Sequence, residues 1–171
     1  MFGKLSLMMK EQMSLEMLEK VVEKMNYAVI VINPDGVYTL WNKKAMELFS
    51  DLFAANRIDS IAMKWNAYSA AEKRLYDVSE YPLSRALRGD EVVNEKIYIE
   101  DPEKKSGMFI KVSAYPVHDE EREIVAAVGL YEDCTKEIKF IENVQKVFQS
   151  IEDSLLKGMN LKNELQQLLK N

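Results

Sequence analysis

The two residue types that build most catalytic and metal centres are nearly missing from this chain of 171 residues, which has one histidine, His118, and one cysteine, Cys134. A single thiol makes neither an internal disulfide nor a thiolate zinc site. Histidine-dependent nucleophilic catalysis has only His118 to run through, and a site of several histidines is excluded. No glycine-rich nucleotide loop occurs. The longest apolar runs, 27–32 and 124–131, fall far short of the roughly 20 residues that cross a bilayer. Residues 1–10 carry no signal-peptide pattern, so a cytoplasmic chain is expected. An excess of one charge is lacking as well. The 23 basic and 28 acidic residues are interspersed, for a net charge of −5, so no basic face offers itself to nucleic acid. The expectation is a chain that is no enzyme and has neither nucleic acid nor membrane as partner.

What is present suffices for a core, since 47% of residues are hydrophobic and 30% charged. One compact domain with helical extensions is expected. Residues 5–25 read as an amphipathic helix. Leu18, Val21, Val22 and Met25 keep the i, i+3, i+4, i+7 spacing, with Met8, Met9 and Met13 extending the apolar side. Methionine-rich faces adapt to imperfect partners. The texture turns extended at 27–32, breaks at Asn33-Pro34-Asp35-Gly36, and resumes at 37–41 as the second half of a hairpin. Asn42 is placed to cap a short helix with Ala45, Met46, Leu48 and Phe49 on its apolar side. Residues 51–75 read as further short helices with Leu52, Phe53, Ile58, Ile61, Met63 and Trp65 turned inward. A helix over 82–88 opens on Pro82 and ends at Gly89. Three strands follow, at 91–100, 108–117 and 123–132, as an antiparallel meander.

In the middle strand of the meander Ile110, Val112 and Ala114 share one face. The strands at 27–32 and 123–132 are apolar on both faces, so the outer face needs a cover, either the first helix or a second copy. From 134 to 171 the pattern is helical. Ile141, Val144, Phe148, Ile151 and Leu155 form a short heptad seam, and Gly158 predicts a break, kink or change of phase. His118 and the Glu120-Glu121 pair read as solvated turn residues. Cys134 reads as a structural thiol rather than a redox sensor, with no second cysteine to resolve an oxidised form. Tyr27, Trp41, Trp65 and Phe109 read as core. The division expected is 1–25, an amphipathic helix; 26–133, the folded domain; and 134–171, a coiled-coil helix, which the resemblance given next makes a signalling helix.

The hairpin Val31-Ile-Asn-Pro-Asp-Gly36, the capping Asn42, the run Tyr81-Pro-Leu-Ser-Arg-Ala-Leu-Arg-Gly-Asp90, the strand Val112-Ser-Ala-Tyr-Pro-Val117 and the junction Glu132-Asp-Cys-Thr-Lys-Glu137 stand in an order that resembles a PAS domain. The resemblance covers about residues 19–137. It implies an α+β fold: a five-stranded antiparallel sheet with short helices on one face, flanked by N- and C-terminal helices. It further implies a sensory or regulatory module in signal transduction that dimerises and relays a signal through those helices to a partner or effector. The alternatives are the input domain of a histidine kinase or cyclase, though 138–170 holds no histidine, and a sensor of a small apolar ligand. Light-oxygen-voltage domains use a cysteine within the stretch that is 51–76 here, and haem-binding members a histidine on the helix at 82–88. This chain has neither, so no haem or flavin is expected. A ligand would sit among Ile61, Trp65, Leu87, Ile97, Ile110 and Val112. Asp133 and Thr135 match the Asp-x-Thr junction that orients the outgoing helix. A homodimer is expected to join through Met13, Leu18, Val21, Val22 and Met25 and through Ile141, Val144 and Phe148.

Overall fold

The computed structural model describes residues 14, 16–49, 56–60, 65–101 and 106–168. The chain divides between Cys134 and Thr135 into two compact units. The first is built on a six-stranded, wholly antiparallel sheet: β1 Ala28–Ile32, β2 Tyr38–Trp41, β3 Asn66–Ser69, β4 Val92–Asp101, β5 Ser106–His118 and β6 Ile124–Asp133. The spatial order is β2-β1-β6-β5-β4-β3. Residues 16–23 form helix α1. Among the described residues this unit also carries helices α2, Lys43–Phe49, and α3, Pro82–Ala86, and short 3-10 helices at Ile58–Ser60 and Val78–Glu80; α4, Thr135–Leu168, belongs to the second unit. Among the described residues no helix is long and apolar enough to cross a membrane.

The sixth strand corrects the sequence expectation. Asn66–Ser69 lies where short helices were expected and pairs with β4, Ala67 opposite Ile99 and Ser69 opposite Ile97. Its residues alternate between half-buried and buried, with Ala67 and Ser69 inside. Four residues are too few to show a period of their own, so pairing along the exposed edge of β4 decides the conformation. Expected helix residues Leu52, Phe53, Ile61 and Met63 lie outside the described residues, as do Met8, Met9 and Met13 of the first helix.

The hairpin closes as its sequence requires. Asn33 accepts the Val37 N–H on Oδ1 at 2.9 Å, and Gly36 sits at φ +75° with its Cα against Ile58, so that a Cβ would stand 2.9 Å from Ile58 Cγ2. Both the backbone angle and the space select glycine there. The inner sheet face carries Ile30, Ile97, Ile110, Val112, Ala114 and Ala127, all buried. Helix α2 packs on β1, and α3 packs across β5 and β6. On the opposite parity Val29 is also buried, while Val31, Val128 and Leu130 are half-buried, in keeping with strands that are apolar on both faces.

Two aromatic assignments fail. Tyr27 and Trp41 are 43% and 37% exposed, because one precedes β1 and the other ends the edge strand β2, where little covers them. Trp65 is buried and Phe109 half-buried. His118 and the Glu120-Glu121 pair are exposed at the β5–β6 turn, as expected. Helix α4 runs through Gly158 without a break. The roughly 1 kcal/mol that a helix-interior glycine costs is outweighed by the good helix formers on both sides, so the seam changes phase and the helix persists.

Candidate functional site

A cavity of about 50 Å³ lies between the inner sheet face and the short helices. Every strand except β2 contributes to its wall: Ile30 from β1, Ala67 from β3, Ile97 and Ile99 from β4, Ile110 from β5 and Tyr131 from β6. Phe49, Ile58 and Trp65, with Tyr81, Pro82 and Leu83 of the α3 region, complete the wall. Phe49 meets Tyr131 edge to face, centroids 5.4 Å apart at 82°, the arrangement that ring quadrupoles favour. The Tyr131 ring lies back along its own strand over Gly129, where a Cβ would come within 2.6 Å of it. Burial, with the Tyr38 phenol nearby, holds the Tyr131 hydroxyl protonated far above its usual range. Burial likewise raises Tyr81. The wall thus offers apolar surface and protonated phenols, and no charge.

Of the expected lining, Trp65, Ile97 and Ile110 meet in this wall. Val112 is fully buried in the core outside it, and Leu87 packs half-buried against the same core. Ile61 lies outside the described residues. Phe49, Tyr81 and Tyr131 were missed as lining. The parity of β6, which sets Tyr131 on the face of Ala127, was the available signal for one of them.

A polar hub stands beside the cavity. Asn42 is 1% exposed and uses its whole amide. Oδ1 accepts from Val29 N at 3.0 Å and from Ala45 N at 2.9 Å, and Nδ2 donates to the carbonyls of Val22 and Tyr27 at 3.0 and 2.9 Å. The expected helix cap is therefore present, and it also fastens the end of α1 to β1. Glu23 Oε2 accepts the Lys43 N–H at 3.1 Å, placing a carboxylate at the positive end of α2.

At the end of β6, Cys134 is buried and donates its N–H to the Phe109 carbonyl at 2.9 Å, with Sγ at 3.4 Å from the same oxygen. Glu132 pairs with Lys111 across the strands. Asp133 stands opposite Ile110 in register, and Thr135 is the first residue of α4. Leu18 and Val21 on α1 and Met25 just after it are exposed, and Val22 is half-buried. Ile141, Val144 and Phe148 are exposed on α4. Met13 lies outside the described residues. No group of three His, Cys, Asp or Glu able to hold a metal occurs among the described residues.

A sequence profile of the PAS fold matches residues 22–139. The chain belongs to the PAS family. That family is one of sensory and signalling modules and is typically not catalytic. The first two of the following solved structures show the same fold. A PAS domain from Colwellia psychrerythraea is 17% identical, with a TM-score of 0.50 over 71% of this chain and 98% of that one. A light-oxygen-voltage domain solved with a flavin analogue is 10% identical, with a TM-score of 0.51 over 74% and 93%. The PAS domain of an HTR-like protein from Haloarcula marismortui is 16% identical, with a TM-score of 0.47 over 77% and 98%. No curated protein matches the sequence.

Proposed function

We propose that this PAS domain is a regulatory module whose apolar cavity is read out through β5 and β6 into α4, acting as a homodimer on a partner or effector. One observation carries the reading. Ile110 in the cavity wall stands directly opposite Asp133, and Tyr131, also in the wall, lies two residues before it. Any change in what fills the cavity therefore presses on β6, which ends at the Asp133–Thr135 junction, and on the part of β5 paired with that end. Close-packed interiors transmit such strain rather than absorb it.

The chemistry of the wall favours a small neutral apolar ligand. Haem does not fit this wall, which supplies no histidine, with His118 exposed at the far end of β5. A cysteinyl flavin does not fit either, since Cys134 lies outside the wall and is engaged with Phe109. Purified protein is expected to be colourless. A stoichiometric Soret band or flavin absorption overturns the assignment, and native mass spectrometry of the same sample identifies any small molecule carried through purification.

Dimerisation is supported by the apolar residues that a single copy leaves in water, Leu18 and Val21 on α1, Met25 just after it, and Ile141, Val144 and Phe148 on α4. Their burial across a two-fold axis is the economical solution. Light scattering at tens of micromolar is expected to give twice the 19.8 kDa chain mass. A monomer defeats the dimer, and a dimer that survives Val21→Glu and Leu18→Glu together assigns the contact to α4.

A further inference from the structure

Residues 77–90, which supply one side of the cavity wall, are a self-contained piece. Among the described residues, every backbone hydrogen bond made within this stretch closes inside it, from Glu80 N–H to Asp77 C=O through Asp90 N–H to Arg85 C=O. None joins the sheet. The start is closed on itself by a capping box, in which the Asp77 side chain accepts from Ser79 N–H and Glu80 reaches back to Asp77 N–H. The far side is tied by Arg88 to the Ser79 carbonyl at 2.7 Å. Apart from the apolar packing of Tyr81, Pro82, Leu83, Ala86 and Leu87, the side-chain polar bonds that fasten the piece to the rest of the unit are two guanidinium–carboxylate pairs.

The first pair joins Arg74, outside the piece, to Glu80 within it, bidentate at 2.7 and 2.8 Å. The second joins Arg85 within it to Glu95 on β4, at 2.7 Å. Glu95 is unusual in position. Its strand parity is that of Ile97 and Ile99, and it stands opposite the fully buried Val112. A β-bulge between Val92 and Glu95, with Asn94 at φ +52°, brings it there. Bulges commonly re-aim one side chain in this way. The carboxylate uses both oxygens, one on Arg85 and the other on the Tyr76 hydroxyl at 2.6 Å. Tyr76 is itself held to β3 through its N–H on the Ala67 carbonyl.

We propose that residues 77–90 are a hinged cover over the cavity and that Glu95 is its latch, with Arg74–Glu80 as a second catch. An apolar residue in the core-facing row would seal the wall permanently. A carboxylate held by a tyrosine and an arginine releases into water when the cover lifts, because all three groups can be solvated. The proposal rests on the cavity being the functional site and states how that site is opened.

The protein reports on its own cover. Its two tryptophans are Trp41, part-exposed, and Trp65, in the cavity wall. In a Trp41→Phe background, acrylamide quenching of Trp65 measures how often the wall opens. Glu95→Gln keeps the shape and removes the charge, and a roughly fivefold rise in the quenching rate constant is expected from losing a charge-assisted pair. Hydrogen exchange should show residues 80–90 losing protection while Ile110–Ala114 of β5 keep theirs. Wild-type protein should move the same way as sodium chloride rises to about 1 M, since exposed ion pairs are screened. That arm, with Tyr76→Phe, holds the test open if Glu95→Gln does not fold. Unchanged quenching in Glu95→Gln and at high salt overturns the latch, as does loss of β5 protection in step with the cover. If indole binds neither wild type nor variant, the ligand reading fails while the quenching data still decide the latch.

Discussion

Replacing Asn42 with alanine removes four hydrogen bonds at once from a site that is 1% exposed. Loss of the helix cap at Ala45 N–H costs about 1 kcal/mol. The Val29 N–H is more serious, since Val29 is 3% exposed and a buried donor left unsatisfied costs about 1–3 kcal/mol. The Val22 and Tyr27 carbonyls lie nearer solvent and accept water, so each adds only about 0.5 kcal/mol. The sum is about 4 kcal/mol, a large part of the 5–15 kcal/mol that holds a typical domain. With an m-value near 1.5 kcal/mol/M, the urea midpoint followed by circular dichroism falls by about 2.5 M. Asn42→Asp separates the two halves of the hub. It keeps the acceptor for Val29 and Ala45 but sets an oxygen against two carbonyls, so hydrogen exchange at residues 22–27 should rise while α2 stays protected. A loss below about 1 kcal/mol in Asn42→Ala refutes the additive reasoning, because one cap alone would account for it.

Two further outcomes follow from single residues. The Arg74 guanidinium and the Asp77 N–H hold the Glu80 carboxyl down to about 2, against an ordinary 4.5. A carboxyl depressed in the folded state stabilises fully above its unfolded value and loses that contribution as pH falls through the folded one. Glu80→Gln should therefore flatten the stability curve between about pH 4.5 and 2 and leave it unchanged in shape above pH 5; an unaltered acid limb refutes the pairing. Gly129→Ala puts a methyl into the Tyr131 ring, so the ring must swing into the cavity or off the strand, at about 1–3 kcal/mol. Thermal unfolding measures the loss, and a neutral substitution contradicts the packing described.

The sheet was legible wherever sequence and pairing agree. The turn at Asn33-Pro34-Asp35-Gly36, the alternation of Ile110, Val112 and Ala114, and the stop at Gly89 each act through neighbours a few residues away, so the local pattern carries them. Strand β3 was not legible, because four residues obtain their conformation from β4. The site divides in the same way. Trp65, Ile97 and Ile110 were reachable from parity and apolar character. Glu95 shares that parity with Ile97 and Ile99, but a carboxylate in the row reads as solvent-facing, and the Arg85 and Tyr76 that engage it lie 10 and 19 residues away. Asn42 was half legible: as a cap it is local, while its bonds to Val22 and Val29 join segments 20 and 13 residues away.

The two polar clusters also differ in how they are built, and the difference assigns their roles. Asn42 is neutral, fully buried, and bonded to backbone on all four sides, so opening it exposes groups that water replaces poorly. Glu95 is charged, its side chain a quarter exposed at 26%, and bonded only to side chains that water solvates well. The first arrangement belongs to a fixed joint and the second to one that works reversibly. They lie at different places along the inner face, Asn42 beside β1 and α2, Glu95 on β4 facing α3. The wall between them includes Tyr131, on the strand that ends at the junction with α4, and Ile110, which is paired with Asp133 at that end. Asn42 pins α2, whose Phe49 lines the cavity, so a cover that moves directs its displacement into β5 and β6 rather than into α2. Releasing Asn42 should therefore weaken the coupling from cavity to α4 even where the cover still opens. Hydrogen exchange at the start of α4, compared with and without Glu95→Gln in the Asn42→Asp background, reads that coupling directly. A response at α4 as large as in the Asn42 protein contradicts the pinned-side argument.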